Sequence, residues 1–168
     1  MTAFVALVRA VNLGVDSTLP SAELRRIGEQ CGFGNARTFI ASGNLLFDSD
    51  LREAAVAELI RTGVEAFLAK PALVIVRSGA EMAKVARSNP FPDDPGNRVV
   101  AFFLTGKPDQ AMIDSATGVG EERLALGRRE IMIAYDEGMG RSKLKLPAFK
   151  HGTGRNMNSV AKMAAMLA

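Results

Sequence analysis

The chain has 168 residues, of which 48% are apolar and 23% charged, and its mean hydropathy is +0.09. That length suits one compact domain or two small ones, and the composition excludes an intrinsically disordered chain. No apolar run approaches the roughly 18–20 residues of a membrane-spanning helix, and the opening segment lacks the basic region of a signal peptide. We therefore predict a cytoplasmic protein that does not associate with membranes.

The chain contains too few cysteines and histidines for a disulfide or a Cys/His metal site. The single cysteine and single histidine cannot form an internal disulfide or a Cys/His zinc site. We expect Cys31 to lie on the apolar face of a helix as a small core residue, and His151 to lie on the surface beside basic residues. Asp93 and Asp94 have no visible third ligand, so we expect neither a metal nor a cofactor.

The net charge of +3 is unevenly distributed along the chain. Residues 1–96 carry 10 basic and 11 acidic side chains, whereas residues 97–168 carry 11 and 7. Residues 138–168 contain no acidic residue. Their basic side chains are Arg141, Lys143, Lys145, Lys150, Arg155 and Lys162. Such an uncompensated stretch attracts anions.

The first half of the sequence predicts the order strand–helix–strand–strand–helix–strand–helix. Its strands are predicted over Phe4–Val11, Arg37–Ile40, Leu45–Asp48 and Leu73–Val76. The first helix follows Pro20, presents Leu24, Ile27 and Cys31 on one face, and stops at Gly32.

The helix starts of this half have recognisable capping residues. Ser21 is predicted to cap the first helix. Asp50 with Glu53, and Ser78 with Glu81, resemble capping boxes of the second and third helices. The core stripe of the second helix is predicted to consist of Val56, Leu59, Ile60 and Phe67.

The segment 90–96 contains three prolines and reads as a linker, after which the same order of elements recurs. Strands are predicted over Val99–Leu104, Arg123–Leu126 and Ile131–Tyr135, with a short extended piece near Thr153–Arg155. Helices are predicted after Pro108, around Leu144–Phe149, and from Val160 to Leu167.

This repeated order predicts an α+β fold made of two ferredoxin-like (β-α-β-β-α-β) halves in tandem, at residues 1–89 and 97–168. The alternative is a single α+β domain with one continuous sheet.

The segment from Gly138 to Lys143 combines two glycines, two cations and the hydroxyl of Ser142. These are parts of a phosphate cradle, although the spacing of a nucleotide P-loop is absent. The alternative is an ordinary glycine turn with Ser142 as a helix cap.

A second polar cluster precedes the last helix. Asn156 or Asn158 is placed to cap this helix, and Arg155 beside the positive end of the helix dipole would hold a phosphate or carboxylate. In the alternative interpretation, Arg155 pairs with an internal carboxylate.

In the first half, Arg9 and Asn12 come at the end of the first strand, while Ser42 and Asn44 form a hairpin tip. Strand ends and turns often carry function. The alternative for Asn44 is a turn residue in the left-handed region. Ser42 lacks the Gly-x-Ser-x-Gly elbow of a serine hydrolase.

Five short motifs occur in this order along the chain: Arg9-Ala10-Val11-Asn12, Ser42-Gly43-Asn44, Asn89-Pro90-Phe91, Gly140-Arg141-Ser142-Lys143-Leu144 and Arg155-Asn156-x-Asn158-Ser159-Val160. Their order resembles that of the bacterial family of unknown function DUF1697. The resemblance implies two ferredoxin-like halves and no known activity. It also groups eight candidate ligand-binding residues into one hypothetical site: Arg9, Asn12, Ser42, Asn44, Ser142, Lys143, Arg155 and Asn156.

Three functions remain open from the sequence. The first is a module that binds an anion, either a phosphate-bearing small molecule or a nucleic-acid backbone. Base recognition is not expected, because the stacking aromatics of RNA-binding sheets are missing. The second is an enzyme acting on a small anionic substrate, with Ser42 or His151 moving protons, and the third is a self-associating scaffold. The sequence predicts no activated base, so no catalytic residue is assigned.

Overall fold

The computed structural model describes residues 1–9, 19–40 and 43–168. The predicted site residues Asn12 and Ser42 lie outside the described residues. The chain divides into two compact units, Met1–Glu81 with Ala165–Ala168, and Met82–Ala164. The domain boundary predicted at 90–96 from composition remains a prediction.

The first unit contains a four-stranded antiparallel sheet with the strand order β2-β3-β1-β4. Its strands are β1 (Thr2–Arg9), β2 (Gly34–Thr38), β3 (Asn44–Ser49) and β4 (Leu73–Ser78). Two helices connect them, α1 (Ser21–Gln30) between β1 and β2, and α2 (Glu53–Leu68) between β3 and β4. This order and connectivity are those of a ferredoxin-like half.

Helical periodicity explains which residues of α2 are buried. The buried side chains are Val56, Ile60 and Val64, which recur every four residues and join the sheet residues of the hydrophobic core. The predicted stripe is wrong at two positions, because Leu59 is 41% exposed and Phe67 is 45% exposed. Both side chains lie outside the helix face formed by Val56, Ile60 and Val64, which packs against the sheet.

The helix ends show which capping predictions the structure bears out. Gly32 ends α1 with φ of +81°, as predicted. Ser78 and Glu81 form a reciprocal box at the next helix, α3 (Gly79–Arg87): Glu81 N–H donates to Ser78 Oγ at 3.2 Å, and Ser78 N–H donates to Glu81 Oε1 at 3.5 Å.

The two other caps predicted in this half are wrong. Pro20, not Ser21, occupies the N-cap position of α1. Arg52 occupies that of α2 without a side-chain cap. The Asp50 carboxylate lies 3.3 Å from the amino terminus, and Leu51 N–H donates to Ser49 Oγ at 3.1 Å.

The second unit repeats the arrangement of the first, with the order β6-β7-β5-β8 and antiparallel pairing throughout. Its strands are β5 (Val99–Leu104), β6 (Arg123–Leu126), β7 (Glu130–Ala134) and β8 (Gly152–Asn156). The helix α4 (Gln110–Asp114) follows β5, and α5 (Met157–Met166) follows β8. Three short 3-10 turns complete it, at Gly96–Arg98, Met139–Arg141 and Pro147–His151.

The helix predicted around Leu144–Phe149 is replaced by extended backbone and a 3-10 turn. Thr117 and Lys145 pair as an isolated antiparallel bridge, and the turn begins only at Pro147. Proline has no N–H to donate and disfavours a helical conformation of the residue before it, so a helix cannot run through this position.

A residue-level correspondence between the units supports the duplication. Arg77 of β4 lies opposite Val5 of β1, and Arg155 of β8 lies opposite Ala101 of β5. Each arginine is buried and comes directly before the polar residue that caps the next helix. Each also donates from Nη1 to the carbonyl of the preceding residue, at 3.1 and 2.9 Å respectively. The predicted fold class is therefore confirmed.

The helices are short compared with the thickness of a bilayer. The helix α2 has 16 residues, and among the described residues no helix is long and apolar enough to cross a membrane.

Candidate ligand-binding site

A cavity of about 480 Å³ opens in the second unit, next to the end of β7. Three segments line it: 118–122, 135–138 and 141–143. It includes Ser142 and Lys143, two of the residues predicted from the sequence. The segment predicted to form a phosphate cradle therefore contributes to the wall of this cavity.

Backbone pairing holds two of the lining segments together. Thr117 N–H donates to the Lys145 carbonyl at 2.9 Å, and Lys145 N–H donates to the Thr117 carbonyl at 2.8 Å. Gly118 then turns with φ of +65°, and its Cα faces the Lys143 carbonyl so closely that no side chain fits. The shape of this wall therefore depends on glycine at position 118.

Ser142 and Glu122 form the hydrogen-bonded centre of the same wall. Ser142 Oγ donates to Glu122 Oε1 at 2.5 Å, and Gly120 N–H donates to Glu122 Oε2 at 2.6 Å. Ser142 Oγ also accepts from Leu144 N–H at 3.1 Å. The hydroxyl of Ser142, followed by the backbone N–H groups, lowers the pKa of Glu122. In this structure Ser142 positions the loop, because its proton is committed to Glu122.

Tyr135 contributes a largely buried aromatic ring and its hydroxyl to the cavity. The residue is 5% exposed and lines the cavity, and within the described residues its hydroxyl has no hydrogen-bond partner and is accessible to solvent. Burial, followed by the negative charge of Glu122, raises the pKa of Tyr135. The phenol therefore stays protonated at neutral pH and is available as a donor.

Sequence reasoning missed Tyr135 and Glu122 as site residues. One signal was present: Tyr135 is the only tyrosine of the chain, and it stands between a predicted strand and the basic loop. Glu122 carried no such signal, because its partner Ser142 is 20 residues away in the sequence.

Some charged residues of the lining form ion pairs or hydrogen bonds, and others form neither within the described residues. Glu122 is bound by Ser142, and Asp136 lies 3.4 Å from Arg123, which also pairs with Asp94 and lies over the Phe91 ring at 5.0 Å. The charged lining side chains that have no ion pair or hydrogen bond within the described residues are Glu121, Glu137, Arg141 and Lys143. Two unpaired cations and two unpaired carboxylates thus face the same space or its rim.

Arg155 and Asn156 are not among the described residues that line this cavity. Arg155 is 8% exposed and donates from Nη1 to Thr153 Oγ1 at 2.6 Å. Burial lowers the pKa of Arg155 to about 10. Asn156 caps α5, as predicted, because its Oδ1 accepts from Ser159 N–H at 2.9 Å.

Arg9 and Asn44 lie near each other at one end of the sheet of the first unit. Asn44 pairs with Leu7, two residues before Arg9. The Asn44 side chain is fully buried and donates from Nδ2 to the Phe39 carbonyl at 3.0 Å. The left-handed interpretation of Asn44 is wrong, because Gly43 takes the positive φ of +77° and Asn44 is the first residue of β3.

Two further groups singled out from the sequence, Cys31 and His151, are not among the described residues that line the cavity. Cys31 is half-buried, and burial raises the pKa of its thiol, which disfavours the reactive thiolate. His151 is exposed at the end of a 3-10 turn. Within residues 1–9, 19–40 and 43–168, no cluster of His, Cys, Asp or Glu side chains is suited to hold a metal ion, so we assign no metal ligands.

The two four-stranded sheets, each with the strand order of a ferredoxin-like half, place the chain among tandem α+β proteins. The chain belongs to the family DUF1697, described as a protein of unknown function, whose model matches residues 1–132. The predicted family resemblance is therefore confirmed.

One solved structure shows the same fold over nearly the full chain. A conserved bacterial protein of Streptococcus pneumoniae is 24% identical, with a TM-score of 0.81 over 99% of this chain and 98% of that one. At this identity the likeness establishes the fold alone. A comparison with curated proteins gives no match.

Proposed function

We propose that the protein is a small-molecule-binding module whose cavity holds an anionic group, a phosphate or a carboxylate, on Arg141 and Lys143. One observation carries the proposal: both cations line a cavity of about 480 Å³ and have no ion-pair partner within the described residues. Cations left unpaired at a concave surface attract an anionic ligand.

The residue types suit this role. A guanidinium binds a carboxylate or phosphate through two parallel hydrogen bonds, and a lysine adds a compact charge. Tyr135 adds a neutral donor from the buried part of the lining. The Ser142–Glu122 hydrogen bond keeps the loop that carries Arg141 and Lys143 in place.

The concave site favours a small molecule over a nucleic-acid backbone. Its volume falls within the range of about 300–1,000 Å³ that is common for small-molecule sites. A backbone-binding surface would instead use the exposed cations outside the cavity, among them Lys145, Lys150 and Lys162. Binding of nucleic acid is therefore an outcome of the test and not part of the proposal.

The experiment is a calorimetric titration of the protein with ethyl phosphate and with propanoate, at low ionic strength. Replacing Arg141 or Lys143 by alanine is expected to weaken binding about tenfold, because a hydrogen bond to a charged group contributes about 1.5 kcal/mol or more. The matched control is Lys150→Ala, which removes an exposed cation of the same basic stretch outside the lining.

The outcomes separate the interpretations. Binding of an anionic probe that Lys150→Ala leaves unchanged and the two cavity variants weaken supports the proposal. Equal weakening by all three variants, together with binding of single-stranded DNA that falls steeply with salt, would indicate a backbone-binding surface. An unchanged titration in Arg141→Ala and Lys143→Ala would refute the site.

The proposal includes a cytoplasmic location, as the composition predicts, which cell fractionation would test. The predicted roles of Arg9, Asn12, Ser42, Asn44, Arg155 and Asn156 in ligand binding remain predictions. No reaction is proposed, since the lowered pKa of Glu122 makes its carboxylate a weak base toward the Ser142 hydroxyl.

A further inference from the structure

We infer that the ligand of this cavity is a zwitterion, with a positively charged amino group in addition to the anionic group. This inference rests on the proposed function and specifies the ligand class of the same site. It follows from the charged side chains and the Tyr135 hydroxyl that line the cavity.

The charge balance of the lining is negative. The carboxylates are Glu121, Glu122, Asp136 and Glu137, against the cations Arg141 and Lys143. Asp136 is also paired with Arg123, which lies outside the lining, and carboxylates remain in excess when this cation is counted. A ligand with only negative charge, such as inorganic phosphate, would gain from the two cations and lose to the surplus of carboxylates. A ligand that also carries a cation would gain from both groups.

Two of the four carboxylates in the lining have no partner among the residues that the structure describes and are available to the ammonium group of the ligand. The hydroxyl of Ser142 and the N–H of Gly120 already satisfy Glu122, and Arg123 lies beside Asp136. Glu121 and Glu137 are exposed, line the cavity, and have no ion pair or hydrogen bond within the described part of the chain. They stand one in each of two lining segments, 118–122 and 135–138.

Tyr135 adds a hydrogen-bond donor to the same space. The residue is 5% exposed and lines the cavity, and its hydroxyl has no hydrogen-bond partner within the described residues. No buried side-chain oxygen or nitrogen of the described residues lacks a partner, so the Tyr135 hydroxyl is accessible to solvent and open to a ligand oxygen. Because its pKa is raised, the phenol is a donor and suits an oxygen of the ligand's anionic group.

The ligand class is therefore an amino acid or an amino-phosphate compound of modest size. The acid group would lie between Arg141, Lys143 and the Tyr135 hydroxyl. The ammonium group would lie toward Glu121 and Glu137.

The test compares probes that differ only in the amino group. O-phosphoethanolamine is paired with ethyl phosphate, and 3-aminopropanoate with propanoate, in calorimetric titrations of the full chain at neutral pH. The amino probe of each pair is expected to bind about two- to fivefold tighter, the effect of one added ion pair at an exposed site.

Charge-removing variants connect this preference to the two carboxylates. In Glu121→Gln/Glu137→Gln, the preference for the amino probe should fall to about one, while the probe without an amino group binds as well as before or better. The matched control is Asp93→Asn, since Asp93 is an exposed carboxylate of the same unit that does not line the cavity. It should retain the full preference.

Failure of the inference and failure of the proposed function give different results. If the two members of each pair bind equally, or the simple anion binds tighter, the zwitterion is refuted and the anion site stands. The same holds if the glutamine variants keep the preference of the unmodified protein. If no probe binds at millimolar concentration, both proposals are refuted.

Discussion

Gly118→Ala should be the most damaging single substitution in the lining of the cavity. Gly118 has φ of +65°, and an added Cβ would overlap the Lys143 carbonyl oxygen and lie 2.9 Å from its carbonyl carbon. The left-handed conformation costs a residue with a side chain roughly 1–2 kcal/mol. Overpacking against a neighbour that cannot move typically costs another 1–3 kcal/mol. The free energy of unfolding should therefore fall by about 2–5 kcal/mol.

Two other glycines separate these costs: Gly138, which lines the cavity, and Gly140, which stands next to the lining residue Arg141 in the chain. Gly138 has φ of +83° with open space around it, so Gly138→Ala carries only the conformational penalty of roughly 1–2 kcal/mol. Gly140 has neither a positive φ nor a neighbour within 4 Å, so Gly140→Ala should change stability by no more than about 0.5 kcal/mol.

Urea denaturation followed by circular dichroism measures all three variants. The expected order of destabilisation is Gly118→Ala, then Gly138→Ala, then Gly140→Ala. If Gly118→Ala loses no more stability than Gly138→Ala, the close packing of Gly118 against Lys143 is refuted. In that case the Thr117–Lys145 bridge would not shape the wall of the cavity.

Two further predictions concern Ser142 and the cap of α5. Ser142→Ala removes the largest cause of the lowered pKa of Glu122. In the unmodified protein the stabilisation that Glu122 provides is present above the ordinary pKa of 4.5 and is lost as the pH falls through the lowered pKa. Ser142→Ala should therefore be less stable than the unmodified protein at neutral pH, and the difference should shrink in acid. Urea unfolding across a pH series measures this difference, and a difference that does not change with pH would contradict the prediction. Asn156→Ala should lower the free energy of unfolding by about 0.5–2 kcal/mol because it removes the cap of α5, and Asn156→Ser should recover most of this loss. Equal thermal stability of both variants and the unmodified chain would show that the cap is dispensable.

The same sequence pattern led to different structures at two helix starts, which shows the limit of local prediction. Ser78 with Glu81 forms the predicted capping box, because both side chains face the start of α3. Asp50 with Glu53 has the same spacing but does not form one, because α2 begins with Arg52 at its N-cap, two residues after Asp50. The local pattern therefore does not show at which residue a helix begins.

The candidate site was also predictable only in part. Ser142 and Lys143 stand in a glycine-containing basic loop, which the sequence identifies directly. Glu122 and Tyr135 become site residues through the pairing of segments that are 20 or more residues apart. The residues next to Glu122 and Tyr135 in the sequence do not indicate which distant segment will pair with them.

By itself the sequence determined the element order apart from the helix predicted around Leu144–Phe149, the duplicated ferredoxin-like plan and the basic C-terminal stretch, because these depend on periodicity, turn residues and charge within short windows. Only the tertiary structure decided that Ser142 is committed to Glu122 and that carboxylates outnumber cations around the cavity. It also decided that the phenol of Tyr135 lines this space. The physical reason is that hydrogen bonds and charge interactions act through space, so the partner of a polar side chain depends on which distant segment the fold brings beside it.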